Sequence, residues 1–565
     1  MTEIPNPRVP AVVAPVAAGA AELRRFHFAG PEPGSEPRLG ALMPARLAAV
    51  VARVSPERPA LASVAEALEL ANQRAARRLE AALAAFAPTA RELAAVAESL
   101  LAAEPDRSSR GERAGQIAQR LGALGGLLID PARLDATVAH RRAAPPRSET
   151  RRRGLEEAVE RLRGVERDRP VPIWVSGRGS AWQPTGARAL PAADPANAAL
   201  AVFEQAAAPV VEVARAVRRV RLESEGTFDA ERHEPVLAAF DRRSLSAAEL
   251  ALVPPVFVVL DAAALAGPAF APVAKLLRSS RPVQVIVLAA GGEATDGDER
   301  FDALVFGLGH REAFVQSGSL AAAGQLERGF ERALAGLRPG LHLIDVPPAA
   351  APEAISTATL AATRVAGRAA PLVACDPDAG SGWAARIDLD GNPDAGSDWM
   401  AAGDAASPAR AGDATPGAFT FAEAALLDPR WRPHFLLASG AEDLVPIVEW
   451  LDLPAEVAAH RLPFVAAVAP DGAISRLVVS RALARATADA REAWRAIAEL
   501  AGVRTGRANL VAEATGEPPP AARVAAGETS TPTATDEIDQ ARARADADVV
   551  SRLVGALEEL ARGGV

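Results

Sequence analysis

Asp261, Gly291 and Gly292 with Glu293, and the polar trio Gln316, Ser317 and Ser319 share one feature: each stands where an apolar run ends. FVVL stops at Asp261, VQVIVLAA runs into Gly291-Gly292, and AFVQ is followed by Ser317-Gly318-Ser319. If those runs are parallel strands, the groups lie along the carboxyl edge of one sheet, where α/β proteins bind their ligands. A reaction at that edge would need a cofactor loop. The glycine pair followed by Glu293, Asp296 and Asp298 is a weak version of one. A second glycine turn, Ser176-Gly177-Arg178-Gly179-Ser180, has an anion-binding composition. Its spacing fits neither a Walker loop nor a dinucleotide fingerprint.

Several other residues carry two readings each. His310 either contacts a ligand or partner at the cleft or caps the carbonyl end of the helix before it. Asp345, followed by Val346 and two prolines, reads as a turn cap more readily than as a ligand. Asp390 and Asn392 in LDGNPD form a tight turn with Gly391 at positive φ, in preference to a metal loop. Cys375 has no histidine partner in view and reads as a core thiol before a nucleophile. Trp431, Trp450 and Trp494 are packing anchors.

Composition removes whole classes of chemistry. One cysteine cannot build a disulfide framework, a four-cysteine iron–sulfur site or a cysteine-rich zinc site. The seven histidines are scattered and form no H-E-x-x-H spacing. A net charge of -9 gives no field that would recruit nucleic acid, and the basic clusters Arg151–Arg153 and Arg215–Arg221 read as solvated faces or linker. No apolar run reaches membrane-spanning length, and the proline-rich start lacks the pattern of a secretory signal. A cytoplasmic protein without a membrane span is the expectation.

The elements that must position these residues follow from periodicity. β-branched runs around Ala/Leu segments give β–α–β–α–β–α–β from Pro254 to Pro348, hence an α/β, doubly wound, mostly parallel sheet. A helical region precedes it and a smaller α+β region follows. The boundaries expected are 1–160 for the helical region, 161–350 for the α/β domain and 351–510 for the extension. A disordered linker at 511–540 and a terminal amphipathic helix at 541–565 complete the chain. Met43 to Leu128 predicts three or four packed helices with a break at Pro105. LPFVAAVAPDGAISRLVVSRAL is a hairpin turning at Pro470-Asp471-Gly472, and ADAREAWRAIAELAGV a helix ending in glycine.

The order of these segments, with GLGHREAFVQSGSL, the IDV strand at 344–346, RIDLDGNPD and the hairpin–helix pair, resembles the thiamine-diphosphate-binding part of pyruvate:ferredoxin (flavodoxin) oxidoreductases and related 2-oxoacid oxidoreductases. The resemblance runs from about Trp174 to Val503 and implies a thiamine-diphosphate-binding fold with Mg2+ between cofactor and carboxylate. It assigns the metal to Asp261, with Asp296 as a further oxygen donor, and the cofactor to Asp261, Gly291, Gly292, Glu293, His310, Gln316 and Ser317. The sequence departs from the family pattern. Asp261 lacks the flanking glycines of the Gly-Asp-Gly motif, and Gly291-Gly292-Glu293 stands where an asparagine-containing loop is expected. With no cysteine ligands in this chain, any iron–sulfur cluster would belong to a partner subunit. The resemblance thus implies a subunit of a 2-oxoacid oxidoreductase-type system with an altered cofactor site. The alternatives are an active enzyme, decarboxylating a 2-oxoacid once partner subunits complete it, and a protein-binding scaffold. A homo-oligomer or a set of partner chains is expected in each case.

Overall fold

The computed structural model describes residues 42–44, 46–54, 59–102, 148–177, 182–290, 301–348, 355–401, 417–438, 444–469 and 472–504. Contacts divide the chain into the units Met1–Ala501 and Gly502–Val565, and every element below belongs to the first. The linker and helix expected beyond residue 510 lie outside the described residues, as do residues 103–147.

The strands in chain order are β1 (Met43–Pro44), β2 (Ile173–Gly177), β3 (Arg188–Ala192), β4 (Val256–Asp261) and β5 (Val283–Ala290). Then come β6 (Phe314–Ser319), β7 (Gly340–Val346), β8 (Val373–Cys375), β9 (Ile387–Asp388), β10 (Met400–Ala401) and β11 (Ala418–Phe419). β12 (Phe435–Leu437), β13 (Leu444–Pro446), β14 (Leu462–Val468) and β15 (Ile474–Val479) complete them. Eight strands make the main sheet in the order β3-β2-β4-β5-β7-β6-β8-β9. The first six run parallel. β8 is antiparallel to β6, and β9 to β8. This is the mostly parallel α/β sheet expected, with β3 as an edge strand the apolar pattern did not reveal.

Why the central strands sit centrally is plain from their side chains. Val256, Phe257, Val258, Val283, Val285, Ile286 and Val287 are all fully buried, which requires cover on both faces. Alternation supplies it. Val315 and Leu341 point to one face, toward Gly307 of the Ala303–Leu308 helix. Gln316 and His342 point to the other, beneath Gly329 and Phe330 of the Ala323–Ala335 helix. On that second face Trp174 stacks on Phe257 with ring centroids 4.3 Å apart. Its indole N–H donates to Asn72 Oδ1 at 3.0 Å.

The N-terminal helical pattern differs from expectation. Val64–Ala102 is one helix of 39 residues that continues through Pro88, where the sequence reads as two segments. Its first half places Ala67, Leu68, Ala71 and Ala75 in the core over the sheet. Its second half packs Ala90, Ala94 and Ala97 against Leu155, Leu162 and Val220. Those partners lie on the helices Glu149–Arg167 and Pro195–Ser224. Alanine allows close helix approach, and packing on both ends outweighs the local cost of proline.

A second sheet, β1-β14-β15-β12 with β13 beside β14, contains the expected hairpin, and Gly472 has φ +81°. The Arg481–Leu500 helix covers it through Leu483, Ala484 and Ala486. β1 pairs Met43 with Val468, so the chain's early residues complete a sheet built from its late ones. Among the described residues no helix is long and apolar enough to cross a membrane.

Candidate functional site at the carboxyl edge of the sheet

Asp261 ends β4 and is the N-cap of the Ala262–Ala266 helix. Its Oδ1 accepts from Ala264 N–H at 2.6 Å, and its side chain is exposed. An aspartate in this position is first a helix cap. Gly291, Gly292, Glu293 and Asp296 lie outside the described residues. So do Arg178, Gly179 and Ser180 of the other glycine turn.

Gln316 does not face the edge. It is 0% exposed. Its amide N–H donates to Gln325 O at 3.0 Å, and its Oε1 meets His342 Nδ1 at 2.9 Å. Ser317 is half-buried and its hydroxyl makes no hydrogen bond among the described residues. Ser319 Oγ accepts from Ala321 N–H and is buried. His310 takes the capping role: its Nδ1 lies 2.9 Å from Phe306 O, and its ring stands edge-on to Phe306 with centroids 4.8 Å apart.

These residues do not converge. Asp261 on β4 and Ser317 on β6 are separated by β5 and β7. Three strand spacings amount to roughly 14 Å. Magnesium requires near-octahedral oxygen ligation. The described residues contain no group of three or more His, Cys, Asp or Glu placed to hold a metal, and Asp261 offers one free oxygen. By themselves they do not fit a magnesium diphosphate.

What the sheet holds instead is a buried polar row that sequence reasoning missed. His342 Nε2 lies 3.0 Å from Gln284 Oε1, opposite its contact with Gln316 Oε1. Gln284 donates to Arg338 O at 2.9 Å, which fixes its oxygen toward the ring. Burial depresses His342 to a pKa of about 3, so the ring is neutral. A neutral imidazole donates from one nitrogen only, and one glutamine oxygen therefore faces a lone pair. Turning either amide moves the mismatch onto a backbone carbonyl. Space for the row comes from Gly329 and Gly340, where a Cβ would run into Gln316 and Gln284. The available signal was a polar residue inside an apolar run, Gln284 in VQVIVLAA and His342 in LHLIDV.

Asp345 is not a turn cap. Its two oxygens accept from Arg364 Nε and Nη2, both at 2.8 Å, and both side chains are buried. Asp428 Oδ2 stands 3.9 Å from Arg364 Nη1 and also binds Arg430. Although burial opposes the charge, these carboxylates hold the Arg364 guanidinium above its ordinary pKa. Cys375 is buried and its thiol is pushed up to about 11, chiefly by burial, so it stays protonated and poorly nucleophilic at neutral pH. Asn392 fastens the LDGNPD turn through Leu372 N–H and the carbonyls of Leu372 and Leu389, while Gly391 has φ +89°.

In the basic clusters Arg152, Arg153 and Arg221 face solvent, as a solvated face would, while Arg151, Arg218 and Arg219 are internal fastenings. Arg151 lies within a helix, where a linker was expected, and pairs with Glu223 at 2.8 Å. Arg218 pairs with Glu249 and Arg219 with Glu234, each at 2.6 Å. Around the helices Phe270–Leu277 and Ala303–Leu308 an aromatic cluster remains open to solvent. Phe270, Phe301 and Phe306 lie within 5.9 Å of one another, and Phe270 and Val305 are 43% and 59% exposed.

A scan against models of known protein families finds no match to the chain, and a search of curated proteins finds no relative.

Proposed function

We propose that the chain is a non-catalytic subunit of a 2-oxoacid oxidoreductase-type assembly, with a sheet of the thiamine-diphosphate-binding kind and no working cofactor site. The observation that carries this reading is the internal engagement of the edge residues. Asp261 caps a helix, His310 caps another, and Gln316 is buried beneath a third. A cofactor-binding residue needs its polar atoms free and directed at the ligand. The solvent-exposed cluster of Phe270, Phe301 and Val305 supports a partner-binding role, because exposed aromatic patches are disfavoured on a surface that nothing covers.

The competing reading, an active thiamine-diphosphate enzyme completed by partner chains, draws on the second oxygen of Asp261 and the Ser317 hydroxyl, neither of which has a partner among the described residues. Calorimetric titration with thiamine diphosphate and Mg2+ separates the two. The non-catalytic reading expects no saturable heat. Tight binding that Asp261→Asn abolishes would overturn it.

A further inference from the structure

At the amino edge of the main sheet four segments lead out to a group of packed helices, and all four are weak at nearly the same height. The Val64–Ala102 helix reaches the amino ends of β4 and β5 at Arg78, beside Pro255 and Pro282, and Phe203 of the Pro195–Ser224 helix reaches the same place. Pro88 lies ten residues beyond Arg78, and Pro209 six beyond Phe203. At the rise of an α-helix the two prolines stand about 15 Å and about 9 Å past that point. A proline inside a helix removes one backbone hydrogen bond and crowds the carbonyl four residues back. The other two crossings are not helical. Asp168 to Pro172 lead from the Glu149–Arg167 helix into β2, and the Ala230–Ala239 helix stops at Phe240, which packs with Val211 and Ala214.

Beyond this height the helices cohere with one another. Ala90, Ala94, Leu155, Leu162, Val217 and Val220 share one apolar core, separate from the core over the sheet. Arg91–Glu166, Arg163–Glu98 and Arg219–Glu234 tie the helices together at its surface. Arg218 reaches out of the group instead. Its Nη1 and Nη2 donate to the two oxygens of Glu249 at 2.6 and 3.0 Å. Glu249 lies on the short Ala247–Leu250 helix, whose Leu250 borders the same place as Phe203, and a capping box with Ser246 holds its carboxylate. The pair therefore spans the joint. Its bidentate geometry makes it specific and short-ranged, so one substitution undoes it.

We propose that the outer helices form an arm that pivots on Pro88, Pro209 and the two non-helical crossings, and that Arg218–Glu249 latches this arm to the sheet. Helices bend sharply where proline interrupts the hydrogen-bond ladder, and a hinge is a few residues that absorb the backbone change between two rigid parts. Here both through-going helices carry their proline at the joint, so they bend together. The separate apolar core keeps the arm rigid while it moves. The inference is independent of the functional reading above.

The test uses the full chain carrying Cys375→Ala, with pairs of nitroxide labels on introduced cysteines and distance distributions read by pulsed electron spin resonance. Glu157→Cys on the arm and Lys275→Cys on the Phe270–Leu277 helix, both exposed, report arm against sheet. Ala95→Cys with Glu157→Cys reports distances within the arm. The latched chain should give a single arm-to-sheet distance. Glu249→Gln should add a second population, separated by more than the width of the first, and Pro88→Ala with Pro209→Ala in that background should remove it. The distance within the arm should stay single throughout. Arg218→Gln breaks the same pair from the other side and should reproduce the second population, so either variant serves if the other fails to fold. An arm-to-sheet distribution unchanged by loss of the pair, a second population that survives the proline replacements, or equal broadening within the arm would overturn the proposal.

Discussion

His342 meets two glutamine oxygens with one proton to give. Leaving an acceptor unmatched costs about 1–3 kcal/mol. Burying an imidazolium without a counter-charge costs several kcal/mol, so neutrality wins. The linkage follows from the direction of the shift. Unfolded, the ring binds a proton below about 6.5; folded, it resists protonation until about 3. Its contribution to stability is complete above the unfolded value and is lost as pH falls from 6.5 toward 3. Between about pH 7.5 and about pH 5 the wild type should lose about 2 kcal/mol more than His342→Gln, as measured by urea unfolding at each pH. A loss equal in the two proteins would mean that the ring is charged in the fold. Asp345 gives a second prediction. Asp345→Asn leaves Arg364 buried beside Asp428 alone, 3.9 Å away, and should cost about 3 kcal/mol in the same measurement. Adding Arg364→Met should recover most of that loss.

The helix caps and the polar row make predictions about elements. Asp261→Ala should lower stability by about 1 kcal/mol, whereas Asp261→Asn should change it by only a few tenths, because asparagine caps as well. Gly329→Ala pushes a methyl group into Gln316 and should destabilise by about 1–3 kcal/mol through the broken row. Elements with strong periodicity were legible in the sequence. β4, β5, β7 and the β14–β15 hairpin announce themselves as β-branched runs between turn residues. The edge strand β3, RALPA, did not, since a half-exposed pair needs no apolar signature. The unbroken Val64–Ala102 helix was also hidden, because a proline reads locally as a boundary and only tertiary packing reverses that. The site was legible least. Where a strand ends can be read from one segment. Whether its terminal side chain turns to solvent, caps the next helix or pairs across the sheet depends on neighbours far along the chain, as Arg364 does for Asp345 and His342 for Gln316.

At the scale of the whole unit, fastenings join segments far apart in the chain. β1 closes a sheet made of β12 to β15. Arg53 reaches Asp394, and Arg368 holds the carbonyls of Pro393 and Asp394 while its guanidinium lies 4.0 Å from the Trp494 ring centroid. Burial lowers Arg368 to about 10, which still leaves it charged at neutral pH. Such a unit suits a rigid component that presents surfaces, the aromatic cluster around Phe270 among them. The most direct test of that account is titration calorimetry of the full chain with thiamine diphosphate and Mg2+. The account predicts no saturable binding and the same flat trace for Asp261→Asn. Saturable binding in the wild type that disappears in Asp261→Asn would contradict it.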